Sequence, residues 1–384
     1  MLKVMTVFGT RPEAIKMAPL VKKLNQEERI ESIVTVTAQH REMLDQVLDL
    51  FEIEPAYDLD IMESVQSLTD ITVNVLQGLK EVISEEKPDI VLVHGDTSTT
   101  FVGALASFYQ KLKVGHVEAG LRTHNKYSPY PEEINRQLTG VLADLHFAPT
   151  KTAKDNLLAE NIDLEKVFIT GNTVIDALLE TVKEDYKFDI PKLNQIDFEN
   201  KKVILLTSHR RENLGEPMEN IFNGIKEIVE NNQDVEVVFP VHLNPKVREI
   251  VNNILGDTED VHLIEPLDYQ PFANLMAKSY LVMTDSGGIQ EEAPSLAKPV
   301  LVLRDNTERP EAVEAGTVEL VGTDQEKIIS IANKLINDDK EYQKMANAVN
   351  PYGDGKASDR IVDSLLYKFN CKKERPLDYI YNEK

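Results

Sequence analysis

Cysteine is almost absent from this sequence, with Cys371 the single one among 384 residues. A lone cysteine excludes an internal disulfide, and such a chain is typical of a reducing cytoplasm. Long apolar runs are missing too, because no stretch of about 18 uncharged apolar residues occurs that would span a membrane. The apolar start, residues 1–9, is too short for a signal segment and is expected to be a buried first strand. We therefore expect a cytoplasmic protein without a membrane segment.

The sequence has fewer basic than acidic residues. The chain has 42 Lys and Arg against 65 Asp and Glu, a formal net charge of −23. So acidic a surface disfavours nucleic-acid binding, which depends on neutralising phosphates. The charge mainly favours solubility. It leaves room for a small phosphorylated ligand, which needs only a local cluster of cations and helix N-termini.

The common cofactor and metal motifs are also lacking. There is neither a G-x-G-x-x-G fingerprint nor a P-loop, so the sequence does not indicate NAD or ATP. The histidines other than His209 and His242 show no close metal-ligand pair; they are His40, His94, His116, His124, His146 and His262. We expect no cofactor and no metal.

What the sequence does contain is an alternation of apolar strands with amphipathic helices. Val4–Phe8 predicts a strand and Pro12–Leu24 a helix, and Val203–Thr207 and Met218–Glu230 start the same alternation again. This pattern predicts parallel sheets covered by helices on both faces. The length predicts two domains at roughly 100–200 residues each.

The expected fold is therefore α/β, with two doubly wound domains facing a central cleft, because ligands of open α/β sheets bind outside the carboxyl ends of the strands. Lys187–Lys202 is polar and lacks periodicity, so it marks a boundary region. A hinge near Gly171 is the alternative.

In the first half, charged residues follow strands where helices begin. Arg11 and Lys16 come after the first strand and are placed to bind an anion, although a plain turn with two solvated cations explains them equally well. Asp96 and Glu118 end neighbouring strands, where carboxylates converge and can perform acid–base work. Glu132 opens the next helix. Taken singly, Asp96 fits a helix cap and Glu132 fits compensation of the helix dipole.

The second half repeats this placement. His209 follows a buried strand and precedes two arginines, which favours a phosphate-facing site, whereas a structural role is favoured for His242. The segment 285–288, Asp-Ser-Gly-Gly, is the strongest local motif, because small residues at a strand–helix turn let the backbone approach a diphosphate. Glu292 is placed to accept ribose hydroxyls, and Arg309 adds a cation.

Together these segments closely resemble the non-hydrolysing UDP-N-acetylglucosamine 2-epimerase family. The motifs run in order through nearly the whole chain: Phe8–Lys16, Val93–Asp96, Gly115–Arg122, His209–Asn213, Asp285–Glu292 and Asn350–Gly355. The resemblance implies two Rossmann-like domains in the glycosyltransferase-B arrangement and a homodimer. The implied domains are 1–170 and 171–357, with a C-terminal helical segment from about 358 to 384 packing back on the first.

The resemblance also implies roles for individual residues. The implied catalytic positions are Asp96, Glu118, Glu132 and His209. The implied nucleotide-binding positions are Arg11, Lys16, Phe272, Ser286, Gly287, Gly288, Glu292 and Arg309, with Phe272 lining the uracil pocket.

The implied reaction is reversible C2 epimerisation of UDP-N-acetylglucosamine (UDP-GlcNAc) to UDP-N-acetylmannosamine (UDP-ManNAc). It proceeds by elimination and re-addition of UDP and supplies N-acetylmannosamine (ManNAc) for a surface polysaccharide. Three alternatives stay open at this point. They are a glycosyltransferase of the same fold, a hydrolysing epimerase, and a catalytically silent UDP-sugar sensor.

Bacterial members of the family also bind a second UDP-GlcNAc as an activator. The corresponding positions are Gln39, His40, Glu132, Arg210 and His242. Two departures from the family pattern occur there: Glu42 replaces a neutral Gln, and Val65 replaces an Arg. Because Arg offers a bidentate grip on phosphate and Val none, we expect activation to be weak or absent.

Overall fold

The computed structural model describes residues 1–38, 41–62 and 67–381. The chain folds into two compact units. The first contains Met1–Ala177 and Tyr352–Ile380, and the second contains Leu178–Pro351. Lys187–Lys202, expected as a boundary region, lies inside the second unit. Because the chain passes between units within the helix Thr173–Thr181, a polar, aperiodic stretch is no guide to the boundary here.

The first unit is built around a parallel sheet. Within its described residues, the strand order is β3-β2-β1-β4-β5-β6-β7. Its elements, up to the helix that leads into the second unit, are β1 (Leu2–Phe8), α1 (Arg11–Gln26), β2 (Ile30–Val36), α2 (Arg41–Leu50), β3 (Tyr57–Asp58), α3 (Leu68–Glu86), β4 (Ile90–His94), α4 (Ser98–Tyr109), β5 (Lys113–Val117), α5 (Glu132–Leu142), β6 (Leu145–Ala148), α6 (Lys151–Ala159), β7 (Val167–Ile169) and α7 (Thr173–Thr181).

The second unit has its own parallel sheet, of order β10-β9-β8-β11-β12-β13 in the described residues. Its elements are β8 (Lys202–Thr207), α8 (Glu216–Asn231), β9 (Val235–Pro240), α9 (Pro245–Leu255), β10 (Val261–Ile264), α10 (Tyr269–Lys278), β11 (Leu281–Thr284), α11 (Gly287–Glu292), β12 (Val300–Val302), α12 (Pro310–Glu314), β13 (Val318–Leu320), α13 (Gln325–Asn337) and α14 (Asp339–Ala346).

The last helix, α15 (Ala357–Lys368), belongs to the first unit and packs against α1. No side chain of its own N-cap residue caps it. Instead, the buried carboxylate of Asp176 accepts hydrogen bonds from the backbone N–H groups of Ala357 (3.1 Å) and Ser358 (2.7 Å). A side chain of α7 thus supplies the cap that α15 requires.

The predicted α/β alternation in two units is confirmed. The central strands are buried along nearly their whole length, which is why the sequence shows them as continuous apolar runs. Several short elements were not anticipated, namely β3, α6, β7, α7, α12 and β13. The strands among them have two or three residues, too few for any periodicity to show.

The carboxyl ends of paired strands lie at the same level within each sheet. In the first unit, β4 and β5 pair in parallel, with His94 opposite Val117. In the second, β8 and β11 pair with Thr207 opposite Thr284. The polar motifs that follow these strands are therefore neighbours within each unit. No helix among the described residues is both long and apolar enough to cross a membrane.

Candidate functional site

The loop between β1 and α1 is fixed by a buried carboxylate. Glu13 accepts hydrogen bonds from the backbone N–H groups of Gly9 (3.1 Å) and Thr10 (2.8 Å), and from the hydroxyls of Thr97 (2.7 Å) and Thr100 (3.1 Å). The last two lie at the start of α4, so Glu13 joins the loops that follow β1 and β4. Burial raises the pKa of Glu13, and these hydrogen bonds oppose the rise.

Gly9 is required by its close neighbours rather than by its backbone conformation. Its φ is not positive, but a Cβ there would lie 1.9 Å from the Thr37 hydroxyl oxygen and 2.9 Å from that of Thr99. Glycine is therefore required for close approach of the backbone. Arg11, next in this loop, is half-buried and its side chain has no hydrogen-bond partner among the residues described.

Glu118 follows β5 and is the most constrained carboxylate of the first unit. Its φ is +61°, a left-handed conformation that is unfavourable for a side chain with a Cβ. The side chain is buried, and Oε1 accepts hydrogen bonds from Lys16 and from Asn172 (2.9 Å). Sequence and fold thus bring Lys16 and Glu118 together as an ion pair.

Burial alone would raise the pKa of Glu118. The charge of Lys16, together with the hydrogen bonds from Lys16 and Asn172, outweighs burial and holds the pKa well below its usual value. Behind the pair lies His94, with Nε2 at 3.4 Å from Oε2 of Glu118. Burial lowers the pKa of His94 to about 4, so this ring is neutral at physiological pH.

Asp96 is not the helix cap that the sequence allowed. Thr97 caps α4 instead, while Arg136 of α5 donates to Oδ2 of Asp96 through Nε (2.9 Å) and Nη2 (2.6 Å). Asn135 donates to the backbone carbonyl of Asp96 (2.9 Å). Successive residues of α5 therefore hold Asp96 in place.

The two glutamates that open α5 differ in role. Glu133 is fully buried and accepts from the backbone N–H groups of Thr123 (3.0 Å) and His124 (3.1 Å), so it organises that loop. Glu132 is half-buried, and its Oε2 has no hydrogen-bond partner within the described residues. Dipole compensation does not require a shielded, unpartnered oxygen, so Glu132 remains available for chemistry.

In the second unit, a buried aspartate organises the loop after β8. Asp285 follows β11, and its Oδ2 accepts from the backbone N–H groups of His209 and Arg210, both at 2.8 Å. The ring of His209 stacks on that of His242, with centroids 5.3 Å apart and 12° between planes. His242 is exposed, and its Nδ1 accepts a hydrogen bond from the backbone N–H of Asn244 (3.1 Å), as the structural role favoured for it requires.

The Ser286–Gly288 turn carries glycines that the fold does not itself demand. A Cβ at Gly287 would meet Arg309 at 3.8 Å, and one at Gly288 would meet Glu292 at 3.6 Å, both ordinary contacts. Ser286 caps α11 without a side-chain hydrogen bond. Space and a hydroxyl are therefore left for a ligand at this turn, and Arg309 adjoins it.

Arg309 is oriented by a buried partner, because its Nε donates to Oε1 of Glu291. Phe272 and Glu292 lie in the first turn of α10 and at the end of α11, and both are half-buried. Near Glu292, the Tyr269 hydroxyl is buried without a hydrogen-bond partner in the described part of the chain, and burial raises its pKa well above the usual value.

Sequence reasoning missed several residues that hold the site together, namely Glu13, His94, Arg136, Asn172 and Asp285. Glu13, His94 and Asp285 stand inside the quoted motifs, but only their partners show what they do. Of the expected effector positions, Gln39, His40 and Val65 lie outside the described residues. Glu42 is an exposed residue of α2. Residues 1–38, 41–62 and 67–381 contain no cluster of His, Cys, Asp and Glu suited to a metal ion.

Comparison with known proteins agrees on one family. The family model described as UDP-N-acetylglucosamine 2-epimerase matches residues 22–366. The UDP-N-acetylglucosamine 2-epimerase of Bacillus subtilis is 62% identical and covers 98% of both chains. The crystal structure of the Neisseria meningitidis enzyme bound to UDP-GlcNAc is 55% identical, with a TM-score of 0.83, covering 95% of this chain and 100% of that one. The Methanocaldococcus jannaschii enzyme in complex with UDP-GlcNAc and UDP is 37% identical, with a TM-score of 0.75 and the same coverage.

The Lys16–Glu118 pair generates a prediction about stability and pH. Lys16→Met leaves a buried carboxylate without its cation, so we expect a loss of about 3–5 kcal/mol at pH 8 in chemical denaturation. In the wild type the pKa of Glu118 lies below its ordinary value, so the pair contributes stability throughout pH 5–8 and loses it only on further acidification. In the variant, burial raises that pKa, so lowering the pH from 8 to 5 should recover part of the loss.

Lys151→Met is the matched control, because Lys151 pairs with Asp155 at 2.6 Å in an exposed i,i+4 arrangement. It should cost less than about 0.5 kcal/mol at either pH. A deficit in Lys16→Met that is small, or that stays constant between pH 8 and 5, would contradict the interpretation of Glu118 as a buried, cation-dependent carboxylate.

Proposed function

The chain belongs to the UDP-N-acetylglucosamine 2-epimerase family, and from this premise we propose that it interconverts UDP-GlcNAc and UDP-ManNAc by eliminating UDP and adding it back. The observation that carries the proposal is Glu118, a buried carboxylate held ionised by Lys16 in a left-handed conformation beside the Asp96 turn. We propose further that the reaction takes place in the cytoplasm and supplies ManNAc units for a cell-surface polysaccharide.

The stereochemistry of the substrates requires acid–base groups on two faces of the sugar. In the α-linked gluco sugar, the C2 hydrogen is anti to the departing UDP, and in the manno sugar it is syn. Breaking the C1–O bond and removing the C2 proton gives a C1=C2 glycal and UDP. Protonation of C2 on the opposite face and return of the UDP oxygen to C1 completes the epimerisation. Asp96, Glu118 and Glu132 are the proposed acid–base set.

The C2 proton is barely acidic, because no carbonyl adjoins C2. Departure of UDP must therefore lead, and it leaves positive charge at C1. A carboxylate that stays ionised, such as Glu118, stabilises that charge electrostatically. Lys16 links substrate binding to the pKa of Glu118. A diphosphate that binds Lys16 competes with Glu118 for the charge of this lysine. Loss of the cation raises the pKa of Glu118 toward a value at which it can accept a proton.

The nucleotide is assigned to the cationic and glycine-containing turns. The proposed diphosphate-binding residues of the second unit are Ser286, Gly287, Gly288 and Arg309, and those of the first unit are Arg11 and Lys16. Glu292 accepts the ribose hydroxyls and Phe272 lines the uracil pocket. Glycines without a packing role in their own unit support this assignment. So do relatives whose structures contain UDP-GlcNAc or UDP. His209 stabilises the leaving diphosphate.

The deciding experiment is incubation with UDP-GlcNAc in deuterated water, followed by NMR. We expect UDP-ManNAc with deuterium at C2, formed without added NAD or metal, because the proton removed from C2 exchanges with solvent. Product that keeps its original C2 hydrogen would contradict the mechanism. Free ManNAc would indicate a hydrolysing epimerase, a requirement for an acceptor would indicate a glycosyltransferase, and tight binding without turnover would indicate a sensor.

Four conservative substitutions test the assigned groups: Asp96→Asn, Glu118→Gln, Glu132→Gln and His209→Asn. Each should lower kcat at least ~100-fold, the usual scale for an acid–base group, with circular dichroism unchanged. Asp155→Asn, on an exposed carboxylate of α6, is the control and should retain wild-type turnover. Near-normal rates in both glutamate variants would remove these carboxylates from the mechanism.

A homodimer is also proposed, through a face on α4 and α5. These neighbouring helices of the first unit expose Phe108, Tyr109, Leu138 and Val141, with Val141 78% exposed. Exposed apolar clusters mark association surfaces, and a second copy is the expected occupant. Val141→Glu should therefore shift the chain toward monomer in sedimentation velocity, whereas Leu164→Glu, at an exposed apolar residue on neither helix, should not. Equal behaviour of the two variants would count against this face.

Activation by a second UDP-GlcNAc is expected to be weak or absent. Glu42 and Val65 replace a neutral side chain and an Arg, and losing one charged hydrogen-bonding partner costs roughly 1.5–3 kcal/mol, about 10- to 100-fold in affinity. The reverse reaction, started with UDP-ManNAc free of UDP-GlcNAc, should proceed without a lag. A pronounced lag that micromolar UDP-GlcNAc abolishes would show that the effector site works with Glu42 and Val65 in place.

A further inference from the structure

Asp285 divides its two carboxylate oxygens between two tasks. It is completely buried at the end of β11. Oδ2 accepts from the Ser208 hydroxyl (3.2 Å), from the backbone N–H groups of His209 and Arg210 (2.8 Å each), and from Asn213 Nδ2 at 3.5 Å. These hydrogen bonds fix the backbone that follows β8, and therefore the position of the His209 backbone.

Oδ1 of Asp285 faces the ring of the same histidine. It is buried and has no hydrogen-bond partner among the described residues, and Nδ1 of His209 lies 3.6 Å away. That distance is too long for a hydrogen bond, so the contact is electrostatic. A buried carboxylate oxygen without a donor is unfavourable, and the nearby ring nitrogen can relieve it only when protonated.

The opposite side of the ring is also constrained. His242 stacks on His209 nearly in parallel and covers one face of the imidazole. The His209 side chain nevertheless remains 42% exposed. With Nδ1 directed at the buried carboxylate, Nε2 is the nitrogen left to meet a ligand.

We propose that Asp285 is a positioning residue for His209, which holds Nδ1 protonated so that Nε2 is presented to the diphosphate of the substrate. The inference rests on the proposed function, in which His209 stabilises the departing UDP. As UDP departs, Nε2 takes up a proton from solvent, and the resulting imidazolium lies between the departing diphosphate and the carboxylate of Asp285. The buried carboxylate behind the ring makes that charged form accessible.

The charges around His209 support this role. The groups that face the ring are Asp285, His242 and Arg210. Burial lowers the pKa of His209, His242 and Arg210 lower it further, and Asp285 opposes them. Among these groups, only Asp285 favours protonation. Its removal should therefore make His209 harder to charge at the pH where the enzyme works.

The test begins with the wild-type protein and needs no variant to fold. In a ¹⁵N-histidine-labelled sample, with the His209 signals assigned by His209→Asn, the neutral ring should be the Nδ1–H tautomer. An Nε2–H tautomer would overturn the proposal. Asp285→Asn should then lower the NMR-measured pKa of His209 by at least about one pH unit, the scale of a lost opposite charge within about 4–6 Å. An unchanged pKa would also overturn it.

Glu236→Gln is the matched control, because Glu236 Oε2 lies 2.8 Å from Nε2 of His262 in the same unit. It removes a carboxylate from beside another histidine of this unit and should leave the pKa of His209 as in the wild type. If it shifts His209 by as much as Asp285→Asn does, the effect of Asp285 is a general loss of charge and the proposal fails.

Kinetics separate positioning from a merely structural role. Asp285→Asn should lower kcat at least 10-fold with a smaller change in KM, and move the pH profile in the direction of the His209 titration. In a His209→Asn background, the same substitution should have little further effect on kcat. A full additional loss there would overturn the proposal. Should His209→Asn turn over normally, the assigned role of His209 fails, while the tautomer and titration still decide what Asp285 does to the ring.

Discussion

Buried carboxylates at the carboxyl ends of the strands organise both units, and each accepts hydrogen bonds from backbone N–H groups of a loop. Glu13 gathers donors from the loops after β1 and β4, Glu133 from the segment before α5, and Asp285 from the loop after β8. An unsatisfied buried carboxylate is too unfavourable to tolerate, so every such residue specifies one arrangement of its surroundings.

Glu118 is the most constrained of the buried carboxylates described above. It is buried, ionised and strained, and Lys16 pairs with its charge. The same lysine is a proposed ligand of the diphosphate. In the proposed reaction the substrate carries the anion that competes for this lysine. In that reaction, binding of the diphosphate changes the pKa of Glu118, because the two anions compete for one cation in the same unit.

Two kinds of glycine show how local geometry separates packing from function. Gly9 is required because the Thr37 and Thr99 hydroxyls leave no room for a Cβ, so its replacement would disturb the first unit itself. Gly287 and Gly288 have ordinary space around them, and their own unit would accept a larger residue. Their small size is explained by an approaching ligand, which supports the assignment of the diphosphate to this turn.

Histidines divide in the same way. Burial lowers the pKa of His94 and of His116 to about 4, which keeps both rings neutral, whereas His209 is partly exposed and has a carboxylate behind it. Sequence position alone did not distinguish them, since His94, His116 and His209 all belong to strands or strand ends. The difference arises from depth and from the partner across the sheet.

The sequence by itself determined the class of fold, the family and most of the candidate residues. Long buried strands and amphipathic helices produce apolar runs and periodic patterns that can be recognised in the sequence. The motifs follow the predicted strands in order. Short elements such as β3 and β7 were not predicted, because two or three residues are too few to show a periodic pattern. Only the tertiary structure decided which side chains meet. Lys16 with Glu118, Asp96 with Arg136, and Asp285 with His209 are separated by 102, 40 and 76 residues. Burial and hydrogen bonding across such distances depend on how the sheet orders its strands, which no local pattern of residues encodes.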